Sequence, residues 1–312
     1  VPAAPHALLA ALRPPRAGLG LAALAAVLFS AKAILAKLLY RYGLDAVTVL
    51  ALRMLLSLPV FAAVAVLETG RARERGNRLT GRQVGLVVLL GLLGYYLSSF
   101  LDFLGLQYIG AALERLILFL NPTLVLLFGV AFLGQKVAGR AWVAMAVSYA
   151  GVVLVFLEGL RLGGPDVVLG SALVLAAAVA YAAYLLLSSR LVAGVGSLRL
   201  VAYAMCVSSA AGLLQFAVLK PLSSLALPWQ VYGLSALNAL FCTVVPVYLT
   251  MFAVVRIGPG ATAQASMLGP VSLLFLGHWV LGEPITVLQL VGTAVVLAGV
   301  WMLSRRPPST AR

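Results

Sequence analysis

Residues 109–152 read IGAALERLILFLNPTLVLLFGVAFLGQKVAGRAWVAMAVSYAGV, and residues 257–300 read IGPGATAQASMLGPVSLLFLGHWVLGEPITVLQLVGTAVVLAGV. Laid over one another 148 residues apart, they align without a gap. Ile109-Gly110 falls on Ile257-Gly258, Pro122 on Pro270, Gly129 on Gly277, and Leu133-Gly134 on Leu281-Gly282. Farther on, Ala146-Val147 meets Ala294-Val295, and Ala150-Gly151-Val152 meets Ala298-Gly299-Val300. Glycine matches alone arise easily in apolar helices. A single register that also carries two prolines across two apolar runs marks an internal repeat.

The rest of the chain is of the same kind. It has 312 residues, 63% of them hydrophobic and 10% charged, with a mean hydropathy of +1.10. A soluble domain is about half apolar and a quarter charged, so a soluble globular or disordered chain is excluded. The apolar residues run continuously instead of alternating, which disfavours a β-barrel. A spanning helix takes about 20 residues, and ten spans fit: 17–39, 46–67, 84–107, 111–133, 141–157, 167–188, 198–219, 230–255, 260–281 and 287–303. Gly163-Gly164-Pro165, Leu227-Pro228 and Gly258-Pro259 interrupt helices. Arg71 to Arg82 reads as a charged loop between the second and third spans.

Five spans per half is an odd number, so the second copy enters the membrane upside down. The predicted fold is an all-α membrane protein of ten transmembrane helices in two inverted five-helix repeats, 17–159 and 160–304, with tails 1–16 and 305–312. Inverted repeats are the architecture of secondary transporters, which bind substrate between the halves near the midplane.

The net charge of +14 is large enough to suggest a nucleic-acid partner. Its distribution argues otherwise. With both ends cytoplasmic, about 15 of the 22 basic residues fall on that side, among them Arg13, Arg16, Arg71, Arg73, Arg75, Arg78, Arg82, Lys136, Arg140, Arg305, Arg306 and Arg312. The positive-inside rule therefore accounts for most of the charge and predicts a multi-pass protein of the inner, plasma membrane. The first apolar run continues to Leu39 and reads as a retained span rather than a cleaved signal. Cys206 and Cys242 sit within apolar runs and read as packing residues. His6 and His278 are too far apart for a metal cluster, so no metal, cofactor or catalytic group is expected. The expected partners are a small-molecule substrate and the lipid bilayer, with the chain acting as a monomer.

These residues resemble the drug/metabolite transporter superfamily, specifically its EamA-type members. The pattern is a mid-helix proline, a helix ending in Gly-Glu-Pro, then an apolar span with a late glycine. The second half has Pro270, Gly282-Glu283-Pro284 and Gly299; the first has Pro122, Gly134-Gln135-Lys136 and Gly151, departing from Glu-Pro. The resemblance implies a ten-helix transporter with a central cavity lined by helices one to four and six to nine. It also implies export of amino acids or related metabolites, with YddG-like amino-acid exporters as the functional analogue.

Ionisable residues inside a bilayer are costly and mark functional candidates. Five lie within spans: Lys32, Arg53, Asp102, Glu114 and Arg115. At about 1.5 Å per residue all five fall in the outer half of the first repeat. Lys32 or Arg53 can therefore pair with Asp102 or Glu114, as a structural network or as a gate; Arg115, near a helix end, can snorkel to the interface. Their repeat partners Thr250 and Thr262 replace Asp102 and Glu114 by uncharged groups. Tyr95, Ser99 and Asp102 share a face of helix three, and Glu114, Leu118 and Asn121 a face of helix four. Tyr181, Tyr184, Asn238, Tyr248 and Gln264 complete the cavity candidates; each could equally serve interhelical packing. Pro122 and Pro270 should bend their helices, and Glu283 should cap the outer end of helix nine.

The expected function is alternating-access export of a small metabolite, most readily an amino acid, aromatic or otherwise neutral. A channel-like facilitator, or a carrier of nucleosides or sugars, is the alternative. No zinc motif, histidine cluster or phosphate-binding loop supports an enzyme or an ATP-driven pump.

Overall fold

The structure, a computed structural model, describes residues 15–134, 138–163 and 165–304. Among these, every regular element is helical. In chain order the long apolar helices are α1 (Ala17–Arg41), α2 (Ala46–Glu74), α3 (Gly81–Leu106), α4 (Ala111–Leu133) and α5 (Gly139–Arg161). They continue as α6 (Asp166–Ser189), α7 (Ser197–Leu219), α8 (Trp229–Gly258) and α9 (Ala261–Leu281). Among the described residues these nine are long and apolar enough to cross a membrane. The tenth expected span is a shorter apolar helix, α10 (Val287–Leu303). Large apolar side chains such as Phe132, Leu214, Val218 and Trp279 lie exposed on helix flanks, as a lipid solvent requires. Arg13, Lys136, Gln135, Arg305, Arg306, Arg312 and His6 lie outside the described residues.

The expected 71–82 loop is shorter than the sequence suggested. α2 continues past its apolar stretch to Glu74, held by the Glu68–Arg71 ion pair at 2.6 Å, and the chain turns only at Gly76, whose φ is 67°. Neither Pro59 nor Gly70 ends the helix, which runs on into its charged end.

The most extensive pairings are α5 with α10, α2 with α7, α1 with α8, and α3 with α6. Each joins the first half of the chain to the second. α5 and α10 meet at a contact that repeats itself with the halves exchanged. A Cβ on Gly151 would stand 2.7 Å from the Gly292 carbonyl oxygen and 2.8 Å from the Val296 side chain. A Cβ on Gly299 would stand 2.6 Å from the Ala144 carbonyl oxygen and 2.2 Å from Ser148 Oγ. Only hydrogen fits at either place, and the small residues let the two backbones touch.

Helix irregularities also recur at matching places. α3 contains a π-helical turn at Gly91–Leu97, and α8 contains one at Leu240–Val244. α4 and α9 are not merely bent at their prolines but broken. α4 divides into Ala111–Leu118 and Asn121–Leu133; α9 resumes at Leu268 after a turn at 266–267. The cause at Pro122 is visible. Proline has no N–H for the Leu118 carbonyl four residues back, and the Asn121 side chain donates to that carbonyl instead, at 2.6 Å. In α9 the Gly269 carbonyl accepts from Ser30 Oγ of α1 at 2.9 Å and from Ser272 Oγ at 2.8 Å.

A charged central cavity

Between the halves lies a cavity of about 280 Å³. Its lining comes from α1 (Phe29, Lys32), α2 (Arg53), α3 (Gly94, Tyr95, Ser98, Ser99, Asp102) and α4 (Arg115, Leu118, Phe119, Asn121). α6 adds Tyr181, α7 adds Met205, and α8 adds Cys242, Thr243 and Val247. The breaks in α4 and the π-turns in α3 and α8 face this space: Phe119 and Asn121 flank one, Gly94 and Tyr95 lie in another, Cys242 and Thr243 in the third. Thr243 Oγ1 donates to the Asn238 carbonyl five residues back, at 3.1 Å, consistent with the wide turn.

The charges form one cluster. Lys32 Nζ donates to Asp102 Oδ2 and stands 3.8 Å from Glu114 Oε1. Glu114 is 0% exposed, and neither of its carboxylate oxygens accepts a hydrogen bond. Lys32 and Arg53 both sit over the Phe103 ring, 5.5 and 5.1 Å from its centroid. Arg53 Nη2 donates to Ser99 Oγ at 3.2 Å, but its Nε has no partner. Arg115 does not snorkel: its guanidinium turns inward beside Gly269, whose missing side chain leaves it room, and its Nε is buried without a partner. Asn121 Oδ1 is likewise unpartnered.

One wall is aromatic. Tyr95 and Tyr184 share a hydroxyl hydrogen bond at 3.1 Å, and Tyr181 stacks on Tyr184 with ring centroids 5.5 Å apart. A Cβ on Gly94 would lie 2.3 Å from the Tyr184 ring, so glycine lets that ring lie flush against α3.

Lys32, Arg53, Tyr95, Ser99, Asp102, Asn121 and Tyr181 thus line one cavity, with Glu114 and Tyr184 directly behind them. Three candidates stay apart. Gln264 lies on an exposed face of α9, which restarts after the Gly258 kink. Asn238 is wholly buried in α8, its side-chain amide unpartnered, and it does not reach the cavity. Tyr248 stacks on Phe61 at 6.3 Å. α9 contributes no lining side chain, because its break brings Gly269 up behind Arg115. The sequence named Arg115 as an intramembrane charge but directed it to the interface, and it did not point to Phe29 or Cys242 as lining residues. Phe29 stands one turn from Lys32 and could have been read from that spacing. Cys242 depends on the π-turn, which has no comparable sequence signal.

Contacts join the two halves at both ends of the bundle. At the Arg41 end, Arg41 Nη2 donates to the Leu281 carbonyl at 2.6 Å, and Glu283 Oε1 accepts from the Ala111 amide at 3.3 Å. The Glu283 side chain therefore caps the N-terminus of α4, where the helix dipole favours a carboxylate, while its backbone N–H donates to the Gly277 carbonyl at 3.1 Å and closes the end of α9. Beside it opens a pocket of about 460 Å³ bordered by Lys37, Tyr40, Arg41, Gln107 and Glu283. At the same end Lys220 Nζ meets Asp45 Oδ2 at 2.6 Å. Burial raises the Asp45 carboxyl, but hydrogen bonds from Lys220 and Thr48 outweigh it and hold Asp45 below the usual carboxylate range. At the opposite end Asn77 Nδ2 donates to the Gly194 carbonyl at 3.0 Å, and Arg199 Nη1 to the Asn77 carbonyl at 3.1 Å. No metal-binding cluster occurs among the described residues.

The profile of the EamA-like transporter family matches this chain twice, over residues 16–157 and 168–305. The uncharacterized transporter YcbK of Bacillus subtilis is 30% identical over 280 residues, covering 85% of this chain and 86% of YcbK. A protein of Streptantibioticus cattleyicolor named "Probable terminal-alkyne amino-acid exporter" is 28% identical over 280 residues, 85% of this chain and 87% of its own. A solved crystal structure shares the fold, with a TM-score of 0.63 at 17% identity over 92% of this chain and 96% of that one.

Proposed function

The chain belongs to the EamA-like transporter family, and from that premise we propose that it exports small metabolites, amino acids first among them, by alternating access. As a member of that family it is a multi-pass membrane transporter of small molecules, not an enzyme. The observation that carries the substrate reading is the cavity. It sets fixed charges of both signs, Lys32, Arg53, Arg115 and Asp102, beside an aromatic wall. An amino acid has two opposite charges and a side chain of variable apolarity. At about 280 Å³ the cavity is near the lower end of ligand pockets, a size for a single small molecule. The Streptantibioticus relative, by its name, belongs to the same substrate class. The narrower likeness to YddG-like exporters of aromatic or other neutral amino acids rests on the sequence reading.

Several features support two inverted five-helix halves with ten spans. The family profile matches twice. The Gly151 and Gly299 contacts are interchanged copies, as a pseudo-two-fold axis between α5 and α10 demands. The π-turns and helix breaks also recur. With α10 counted as a span, the distribution of Lys and Arg supports both ends in the cytoplasm and the Arg41 end outside the plasma membrane. In alternating access the Glu283–Ala111 and Arg41–Leu281 contacts would open in turn with those of Asn77 and Arg199.

Purified protein in liposomes loaded with labelled amino acids, one at a time, should speed efflux of at least one neutral amino acid over protein-free liposomes. Failure of every amino acid, with release of a sugar or nucleoside, overturns the reading.

A further inference from the structure

We infer that Arg53 and Arg115 form a subsite for the anionic group of the substrate, a carboxylate on the amino-acid reading above, on which this inference rests. The argument begins with how the cavity's charges are already spent. Lys32 serves both carboxylates, bonded to Asp102 and 3.8 Å from Glu114. Among the described residues neither Arg53 nor Arg115 makes an ion pair. Arg53 is 5% exposed and touches the Ser99 hydroxyl and the Phe103 ring, with the Asp102 carboxylate near but beyond ion-pair distance. Its Nε, like that of Arg115, is buried with no hydrogen-bond partner. Both residues line the cavity.

A guanidinium held out of water without a partner is costly. Leaving two of them facing one cavity makes sense where an anion completes them. Guanidinium is the donor best shaped for a carboxylate, which it can grip through two parallel N–H groups. The two residues approach from different helices, α2 and α4, and Arg115 lies on the segment of α4 just ahead of its break. Closure around the anion therefore ties a helix of continuous backbone to one that is already hinged. The ammonium end would face Asp102, competing with Lys32.

The test compares free acids with their neutralised forms. Wild-type protein in liposomes is offered labelled leucine and phenylalanine, their amides and methyl esters, and separately lactate, glucose 6-phosphate and glucose. The amides and esters should be handled about tenfold less well than the acids or worse, the loss expected when a charge-assisted bond is removed. R53Q and R115Q should raise KM for the acids and reduce the preference for acid over amide, while R53K and R115K restore part of it. Should those variants fail to fold, the wild-type panel alone decides. Amides carried as well as acids overturn the subsite and leave amino-acid export standing. Transport of lactate or glucose 6-phosphate but of no amino acid, with a raised KM in the arginine variants, supports the anion subsite and overturns amino-acid export. Glucose alone overturns both.

Discussion

Lys32 answers to two carboxylates, and that asymmetry makes a prediction at the scale of single residues. Glu114 is fully buried and has only Lys32 near enough to pair with. Asp102→Ala or Glu114→Ala should lower transport in liposomes about tenfold or more, because removing one partner strands a buried charge. Thr250→Ala and Thr262→Ala, at the repeat-related positions, should cost little; Thr262 uses its hydroxyl only to bond the Gly258 carbonyl at the end of α8. Equal activity in all four well-expressed variants would contradict a functional charge cluster. Asp45 makes a second prediction. Its folded carboxyl lies below its unfolded value, so its stabilisation is present above the unfolded value and lost as pH falls through the folded one. Asp45→Asn should lower the melting temperature at neutral pH and flatten the acid limb of the stability profile; an unchanged limb would contradict the Lys220 link. The pairing of Lys32 with Asp102 was legible in the sequence, since cost in lipid and matched depth suffice. The inward turn of Arg115 was not, because it depends on the space left by Gly269, more than 150 residues away.

Helices α4 and α9 carry the next level. The paired prolines predicted bends, and the chain instead breaks at both. The side chain of Asn121 explains the difference, by taking the Leu118 carbonyl that a bent but continuous helix would leave free. We propose Asn121-Pro122 as a hinge. Pro122→Ala restores an N–H to that carbonyl and should slow transport several-fold while leaving the melting temperature equal or higher; unchanged rates would contradict a hinge role. At the α5–α10 contact, Gly299→Leu has no room, with the Ala144 carbonyl 2.6 Å from the first added carbon. Overpacking costs about 1–3 kcal/mol or more, so fluorescence-detected size-exclusion after heating should show a clear drop in stability, and no drop would contradict the close approach. That the chain is built of long apolar helices was readable from apolar run length. The π-turns were not, since a wide turn leaves the apolar pattern nearly unchanged.

At the scale of the whole molecule, two sets of contacts between halves face each other across the cavity. Glu283 and Arg41 tie one end, Asn77 and Arg199 the other. A carrier needs such ties to be exchangeable, each weak enough to release, and the cavity needs charges that keep its small occupant in place meanwhile. A channel needs neither. The central claim is that this chain carries amino acids by exposing one cavity to each side in turn, and counterflow tests it most directly. Liposomes preloaded with an unlabelled transported amino acid and diluted into a trace of the labelled one should accumulate label transiently above equilibrium, and the initial rate should saturate with external amino acid. Label that only equilibrates, at a rate linear in concentration, would contradict alternating access.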